Sequence, residues 1–201
     1  MGAMQRRMFF LIPPALALAG PARAQPAPAA VVEGFHDTLL SVMREAARLG
    51  VAGRFARLEP AMQRAFDLAA MTRLAVGPPW SGFSAPDRTA LTEAFSRWSI
   101  ATYAARFDGY SGESFRTLES RTLPNGAVLV RTALVRTGGE APVALGYLLR
   151  GNPPRIVDIY LDGTISELAS RRAEFTALLR EGGATRLAAE LRARSDRLMA
   201  G

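Results

Sequence analysis

Four strand-like segments, joined by connections of only a few residues, constrain the fold more than any other feature of the sequence. They cover residues 113–121, 127–136, 142–150 and 155–162, and the turn signals "PNG", "TGGE" and "GNPP" separate them. A connection between parallel strands needs a dozen or more residues, usually as a helix. Each segment therefore pairs antiparallel with the next, and the sequence predicts a four-stranded antiparallel meander.

Segments with helical spacing precede and follow the predicted strands. Asp67 stands where it can cap a short helix, and "SAPD" from Ser84 has capping-box spacing with proline in the first turn. Thr164 and Glu167 have the same capping-box spacing after the last strand. Together these patterns predict an α+β fold, with the meander packed against N-terminal and C-terminal helices. The predicted helices cover about residues 31–49, 55–66, 67–74, 84–107, 164–182 and 185–198.

The first 24 residues have the pattern of an export signal. Arg6 and Arg7 precede an apolar segment of about a dozen residues, and "ARA" ends at Ala24 as a cleavage site. We expect cleavage after Ala24, the alternative being an uncleaved anchor. Residues 25–30, "QPAPAA", are predicted to form a linker, and residues 31–201 a single domain.

The charge pattern argues against a nucleic-acid partner. The formal net charge is +7, and every basic residue is arginine. The arginines are scattered along the chain, whereas nucleic-acid-binding proteins cluster basic residues on one surface. We therefore expect no nucleic-acid partner.

The sequence contains few groups for catalysis or metal binding. His36 is the only histidine, cysteine is absent, and no G-x-S-x-G motif occurs. Metal sites need several histidine, cysteine or carboxylate ligands at recognisable spacing. Asp158 could form half of a carboxylate pair, although a structural role is the simpler interpretation. We expect no catalytic residue, no metal and no cofactor.

Three blocks of sequence resemble the periplasmic lipid-carrier family of the Mla pathway, also called the toluene-tolerance family. These blocks are "FDLAAMTRLAVGPPW", "LTEAFSRWSIATYAARFDGYSGESF" and "IVDIYLDGTISELASRRAEF", and the resemblance extends over about residues 66–191. The segments "YSGESF" and "SELASRRAEF" are most similar to the branch of this family associated with hopanoid biosynthesis, known as HpnM.

The resemblance implies a lipid-binding carrier in the periplasm, with a hydrophobic pocket enclosed by the sheet and the helices. Its cargo would be a phospholipid or a hopanoid, exchanged with membrane-bound ABC-transporter components, and the carrier would be a monomer. From the residues alone two other classes stay open. One is an exported enzyme with a cone-shaped α+β pocket, and the other is a periplasmic adaptor with a filled core.

Strand alternation indicates which residues would line such a pocket. Alternate side chains of a strand share one face, and the bulkier face is expected to point to the helices. Aromatic residues of the long helix are expected to form a further wall. The predicted lipid-binding residues are Trp98, Tyr103, Phe107, Val143, Leu145, Tyr147, Leu149, Val157, Ile159 and Leu161.

Two adjacent arginines follow the last strand. Because Arg171 and Arg172 begin a helix that returns across the sheet, we expect at least one of them to pair with Asp158 or Asp162.

Overall fold

The computed structural model describes residues 27–162 and 164–201. The predicted export signal and the start of the predicted linker lie outside the described residues. The first helix begins at Pro28, three residues before the predicted start. A 3₁₀ turn occupies Pro78–Gly82. The α-helices of the described part are α1 (Pro28–Arg44), α2 (Ala46–Ala65), α3 (Leu68–Val76), α4 (Ala85–Arg106) and α5 (Glu167–Met199).

The strands form one antiparallel sheet in which each strand pairs with the next along the chain. The predicted α+β meander is confirmed, and the structure adds a fifth strand of two residues at its end. The strands are β1 (Ser114–Thr122), β2 (Val128–Val135), β3 (Val143–Arg150), β4 (Arg155–Leu161) and β5 (Ile165–Ser166).

Side-chain caps set the starts of three helices. The Asp67 carboxylate accepts a hydrogen bond from the backbone N–H of Ala70, and the Ser84 hydroxyl accepts one from that of Asp87. Both caps confirm the sequence prediction. The predicted capping box at Thr164 is wrong, because α5 begins two residues later and Ser166 caps it through the N–H of Ala169.

Glycines with positive φ interrupt two of the helices. Gly50 (φ 60°) breaks α2 and Gly183 (φ 62°) breaks α5, and a side chain would be strained in this conformation. The breaks near Gly50 and Gly183 were predicted as helix ends. The first helix, however, already ends at Arg44, before the predicted end at residue 49.

The register of β3 and β4 determines which side chains face the helices. Leu145 lies opposite Leu161 and Tyr147 opposite Ile159, but the register then shifts by one residue. The extra residue on β4 is Val157, so that Ile156, instead of Val157, lies opposite Leu149. The predicted place of Val157 in the helix-facing row is therefore wrong, because a β-bulge reverses the alternation at this point.

The core lies between the helix-facing side of the sheet and the helices. Three phenylalanines, Phe35 on α1, Phe66 after α2 and Phe175 on α5, are fully buried. Leucine, isoleucine and methionine side chains fill the space around them. The further large side chains with under 2% exposure are Leu39, Leu58, Met62, Leu91, Ile100, Leu149, Ile156, Leu187 and Leu191.

Arginines donate hydrogen bonds to carbonyls at the ends of three helices. Arg54 donates to Ala104 at the end of α4, with 2.6 Å between Nε and O, and Arg155 donates to Phe66 after α2. Arg172 donates to Leu74 in the last turn of α3, with 3.0 Å between Nε and O. Because the last carbonyls of a helix have no intrahelical donor, these arginines satisfy groups that would otherwise lack partners.

The expected pairing of Arg171 or Arg172 with Asp158 or Asp162 is wrong. Arg172 is bound to the Leu74 carbonyl, and Arg171 pairs with Glu167 and Glu174 on its own helix at 3.5 and 3.6 Å. The direction in which α5 leaves β5 carries both guanidinium groups away from the sheet carboxylates.

The buried Asp158 carboxylate instead joins β4 to the start of α5. Its Oδ2 accepts a 2.7 Å hydrogen bond from the Ser166 hydroxyl, and its Oδ1 accepts from the N–H of Ile159 at 2.8 Å. A longer contact of 3.4 Å joins Oδ1 to the N–H of Leu168. One side chain thus fixes the strand, the cap and the first turn of the helix.

We predict that Asp158→Ala lowers the free energy of unfolding by about 2 kcal/mol, because it leaves buried donors without an acceptor. Urea denaturation measures the change. Asp37→Ala is the matched control, since Asp37 is exposed on α1 and exposed substitutions usually change stability by no more than about 0.5 kcal/mol. Equal stability of the two variants would contradict this role of Asp158.

Candidate functional site

An apolar cavity of about 370 Å³ lies between the helix-facing side of the sheet and helices α4 and α5. Its volume falls within the range of about 300–1,000 Å³ typical of small-molecule sites. Leucine, methionine, valine and aromatic side chains form most of the wall. The lining residues on the helices and their flanks include Leu39, Met62, Phe66, Leu68, Met71, Phe95, Trp98, Tyr103, Phe107 and Leu168.

The sheet contributes the opposite wall of the cavity through alternate residues. On β3 these are Val143, Leu145 and Tyr147, and on β4 they are Ile159 and Leu161. Eight of the ten residues predicted to bind lipid thus line the cavity, namely these five together with the helical residues Trp98, Tyr103 and Phe107. Their contact with lipid stays a prediction.

Two predicted residues do not line the cavity. Leu149 lies on the helix-facing side of β3, but it is completely buried among core side chains beyond the end of the cavity. Val157 is the extra residue of the bulge on β4 and lies outside the main cluster of core side chains. Alternation alone predicted both positions and could indicate neither the extent of the cavity nor the bulge.

The sequence prediction missed lining residues on β1 and β2 and on the first three helices. Phe115 on β1 lies opposite Leu134 on β2, which in turn lies opposite Val143 on β3, and all three line the cavity. The same alternation, extended across the predicted meander, could have found Phe115 and Leu134. Met62 and Met71 gave no comparable signal, because helical spacing does not distinguish a cavity wall from a filled core.

Aromatic rings contact one another along the helical wall. The Trp98 ring lies edge-to-face with those of Phe95 and Phe175, at centroid distances of 5.9 and 6.0 Å. Tyr103 stacks on Phe107 at 5.5 Å. Such aromatic pairs stabilise a fixed arrangement beyond the area that they bury. The wall is therefore built from mutually supporting side chains.

A buried hydrogen bond joins helix α1 to the sheet wall of the cavity. His36 Nε2 on α1 is 2.9 Å from the Tyr147 hydroxyl oxygen, and the His36 ring stacks on Phe115 at 3.8 Å. Burial lowers the pKa of His36 to about 4, because the charged ring would lose its hydration. Neutral His36 therefore holds Tyr147, which lines the cavity, in a fixed orientation.

Four charged side chains line the cavity, and we call them the charged rim: Arg106, Arg136, Glu167 and Arg171. Arg106 is exposed, and the side chains of the other three are 29–42% exposed. The Arg171 guanidinium carbon lies 4.8 Å from the centre of the Trp98 ring, a cation–π geometry. The cavity thus combines an apolar interior with charges that reach solvent.

The described residues contain no cluster suited to metal binding. In residues 27–162 and 164–201, no three His, Cys, Asp or Glu side chains come together as metal ligands. His36 and Asp158 lie in different hydrogen-bond networks, one with Tyr147 and the other with Ser166. Among the helices of this part of the chain, none is both long and apolar enough to cross a membrane.

The fold and the cavity define an α+β domain of the ligand-binding type, in which an apolar cavity separates an antiparallel sheet from its covering helices. A family model described as "MlaC protein" matches residues 33–193. The chain therefore belongs to the MlaC protein family. This finding confirms the family resemblance noted in the sequence, although it does not distinguish the hopanoid-associated branch.

A solved structure shares the fold. The phospholipid-binding protein from Ralstonia solanacearum, solved in complex with a phospholipid, superposes with a TM-score of 0.72 at 22% sequence identity. The match covers 84% of this chain and 97% of the Ralstonia chain. No curated protein matches the sequence.

We predict that the stability of the protein falls by about 2 kcal/mol between pH 7 and pH 5 through His36. The unfolded chain binds a proton near pH 6.5, whereas the folded chain binds it only near pH 4, so acid favours unfolding across this window. Urea denaturation at several pH values measures the slope. His36→Gln keeps a polar partner for Tyr147 and should remove most of this slope, and an unchanged slope would exclude His36 as its source.

Proposed function

We propose that the protein is a periplasmic lipid-binding carrier whose cavity holds the apolar part of a lipid. The observation that carries the proposal is the apolar cavity of about 370 Å³, in which the charged lining residues are those of the charged rim. Such a site suits an amphipathic ligand, since the chains are removed from water while a polar headgroup stays near solvent.

The physical requirement for a carrier follows from the cost of exposing lipid chains to water. Each methylene that leaves an apolar environment costs about 0.8 kcal/mol, so a two-chain lipid loses on the order of tens of kcal/mol. A protein that moves such a molecule through water needs a sheltering cavity and no reacting group. The wall of aliphatic and aromatic side chains supplies that shelter.

Family membership and the structural neighbour support a phospholipid as the cargo. The neighbour was solved in complex with a phospholipid, and its fold extends over most of this chain. A hopanoid is the alternative cargo, which only the sequence resemblance suggests. We infer that the protein acts as a monomer, exported by cleavage after Ala24, and exchanges its cargo with membrane-bound ABC-transporter components.

The cavity and its lining argue against the two other classes of protein, a periplasmic adaptor with a filled core and an exported enzyme. A filled-core adaptor would have packed side chains where the cavity lies. An enzyme would need reactive groups on the wall, yet the Asp158 carboxylate is bound to Ser166 and to backbone N–H groups. His36 does not line the cavity, and its Nε2 is hydrogen-bonded to the Tyr147 hydroxyl. The carrier is thus the function that these contacts favour.

We predict that Leu145→Arg abolishes lipid copurification, because a charge on the wall must either lose its hydration or expel the lipid chains. Organic extraction of the purified protein followed by mass spectrometry measures the bound lipid. The matched control is Leu118→Arg, the same substitution at an exposed position on β1.

The control should keep the lipid of the wild type. A folded Leu145→Arg protein with its full lipid content would exclude this face of the sheet as the binding wall. Wild-type protein that carries no lipid under several purification conditions would contradict the carrier function itself.

A further inference from the structure

Arg106 differs from the other arginines of the charged rim in its partners. Arg171 pairs with Glu167 and Glu174, and Arg136 pairs with Glu140 at 2.6 Å. Within the part of the chain that the structure describes, no carboxylate lies within ion-pair distance of Arg106. Arg106 therefore offers an uncompensated positive charge at the opening of an apolar cavity.

Tyr103 is a second polar residue of the cavity lining. It precedes Arg106 by three residues on α4, so the two side chains lie on the same face of the helix. Both line the cavity, and no protein acceptor or donor among residues 27–162 and 164–201 binds the Tyr103 hydroxyl. Burial raises the pKa of Tyr103, Glu167 raises it further, and Arg106 opposes the change.

The one acidic member of the rim is already engaged. The Glu167 carboxylate lies 3.5 Å from the Arg171 guanidinium, so its charge is already compensated by that of an arginine. With Arg136 paired to Glu140 and Arg171 paired to Glu167, Arg106 leaves the rim with an excess of positive charge. Its charge suits a headgroup that is negative overall, and it offers little to the positive end of a zwitterion.

We propose that Arg106, together with the Tyr103 hydroxyl, binds the headgroup phosphate of the cargo and makes the carrier select lipids of net negative charge. The inference rests on the proposed lipid-binding function and specifies its substrate class. Guanidinium groups match phosphate oxygens in geometry as well as charge, and a phenol adds a further donor. Lipids with identical chains but zwitterionic or uncharged headgroups bind more weakly, because they lack either the net charge or the phosphate.

The test uses delipidated protein and vesicles that contain equal amounts of phosphatidylglycerol, phosphatidylethanolamine and diacylglycerol with identical acyl chains. All three lipids share one vesicle surface, so a general attraction of the protein to anionic membranes affects them equally. The protein is separated from the vesicles and extracted, and its lipids are quantified by mass spectrometry. We expect an enrichment of phosphatidylglycerol over each of the other two lipids on the order of fivefold, the scale of a partly exposed charge interaction.

Arg106→Gln should bring this enrichment close to one while total lipid stays near the wild-type level, and Tyr103→Phe should reduce it in part. Arg180→Gln is the matched control, since it removes the same charge from an exposed position on α5 away from the cavity. Thermal unfolding verifies that each variant folds.

The outcomes separate the two proposals. Wild-type protein that takes up the three lipids in equal amounts, or an Arg106→Gln variant that keeps the full enrichment, would overturn the headgroup assignment and leave the carrier function intact. Wild-type protein that takes up none of the three would overturn the carrier function and the inference with it.

Discussion

The rest of the structure depends on the buried Asp158 carboxylate at the junction of β4 and α5. Its hydrogen bonds to the Ser166 hydroxyl and to nearby backbone N–H groups fix the angle at which α5 leaves the sheet. That angle brings Leu168 and Arg171 over the cavity and Phe175 into contact with Trp98. Hydrogen bonds to a charged acceptor contribute about 1.5–3 kcal/mol each, which is large against the total stability of a domain. A polar contact outside the cavity therefore determines the position of an apolar wall.

A cavity of this kind needs a rigid frame, because a deformable core would collapse into it. The frame has three supports in this protein. Neutral His36 on α1 holds Tyr147 of the sheet, the aromatic contacts of Trp98 stiffen the helical wall, and arginines bind the ends of helices. Gly77, which follows α3, shows how closely these parts approach. Its φ is 72°, and a Cβ atom there would lie 3.0 Å from Nε of Arg172. Three of the arginines scattered along the sequence, Arg54, Arg155 and Arg172, thus bind specific backbone carbonyls.

The strands, several helix limits and part of the cavity wall could be predicted from the sequence. The short connections required an antiparallel meander, and the caps at Asp67 and Ser84 follow from local chemistry. Alternation placed Leu145, Tyr147 and Ile159 on one side of the sheet. The remaining features arise from contacts distant in the chain. The bulge at Val157 depends on the hydrogen-bond register with β3, and the cap at Ser166 depends on a partner eight residues earlier. The cavity is a volume that no periodicity describes, since a wall and a filled core have the same pattern of apolar residues.

The irregular edge of the sheet has a consequence for how the protein behaves at high concentration. Among residues 27–162 and 164–201, no strand pairs with the outer side of β1, and the register of β1 with β2 skips Leu118, which is 59% exposed. Arg116, Glu119 and Arg121 also lie exposed along this strand. An open edge is a template on which a second chain can add a strand, and both a bulge and a row of charges disfavour that addition. The bulge and the charges thus protect the exposed edge against the addition of strands from other copies of the protein. Such aggregation becomes more frequent at high concentration and whenever the chain is partly unfolded.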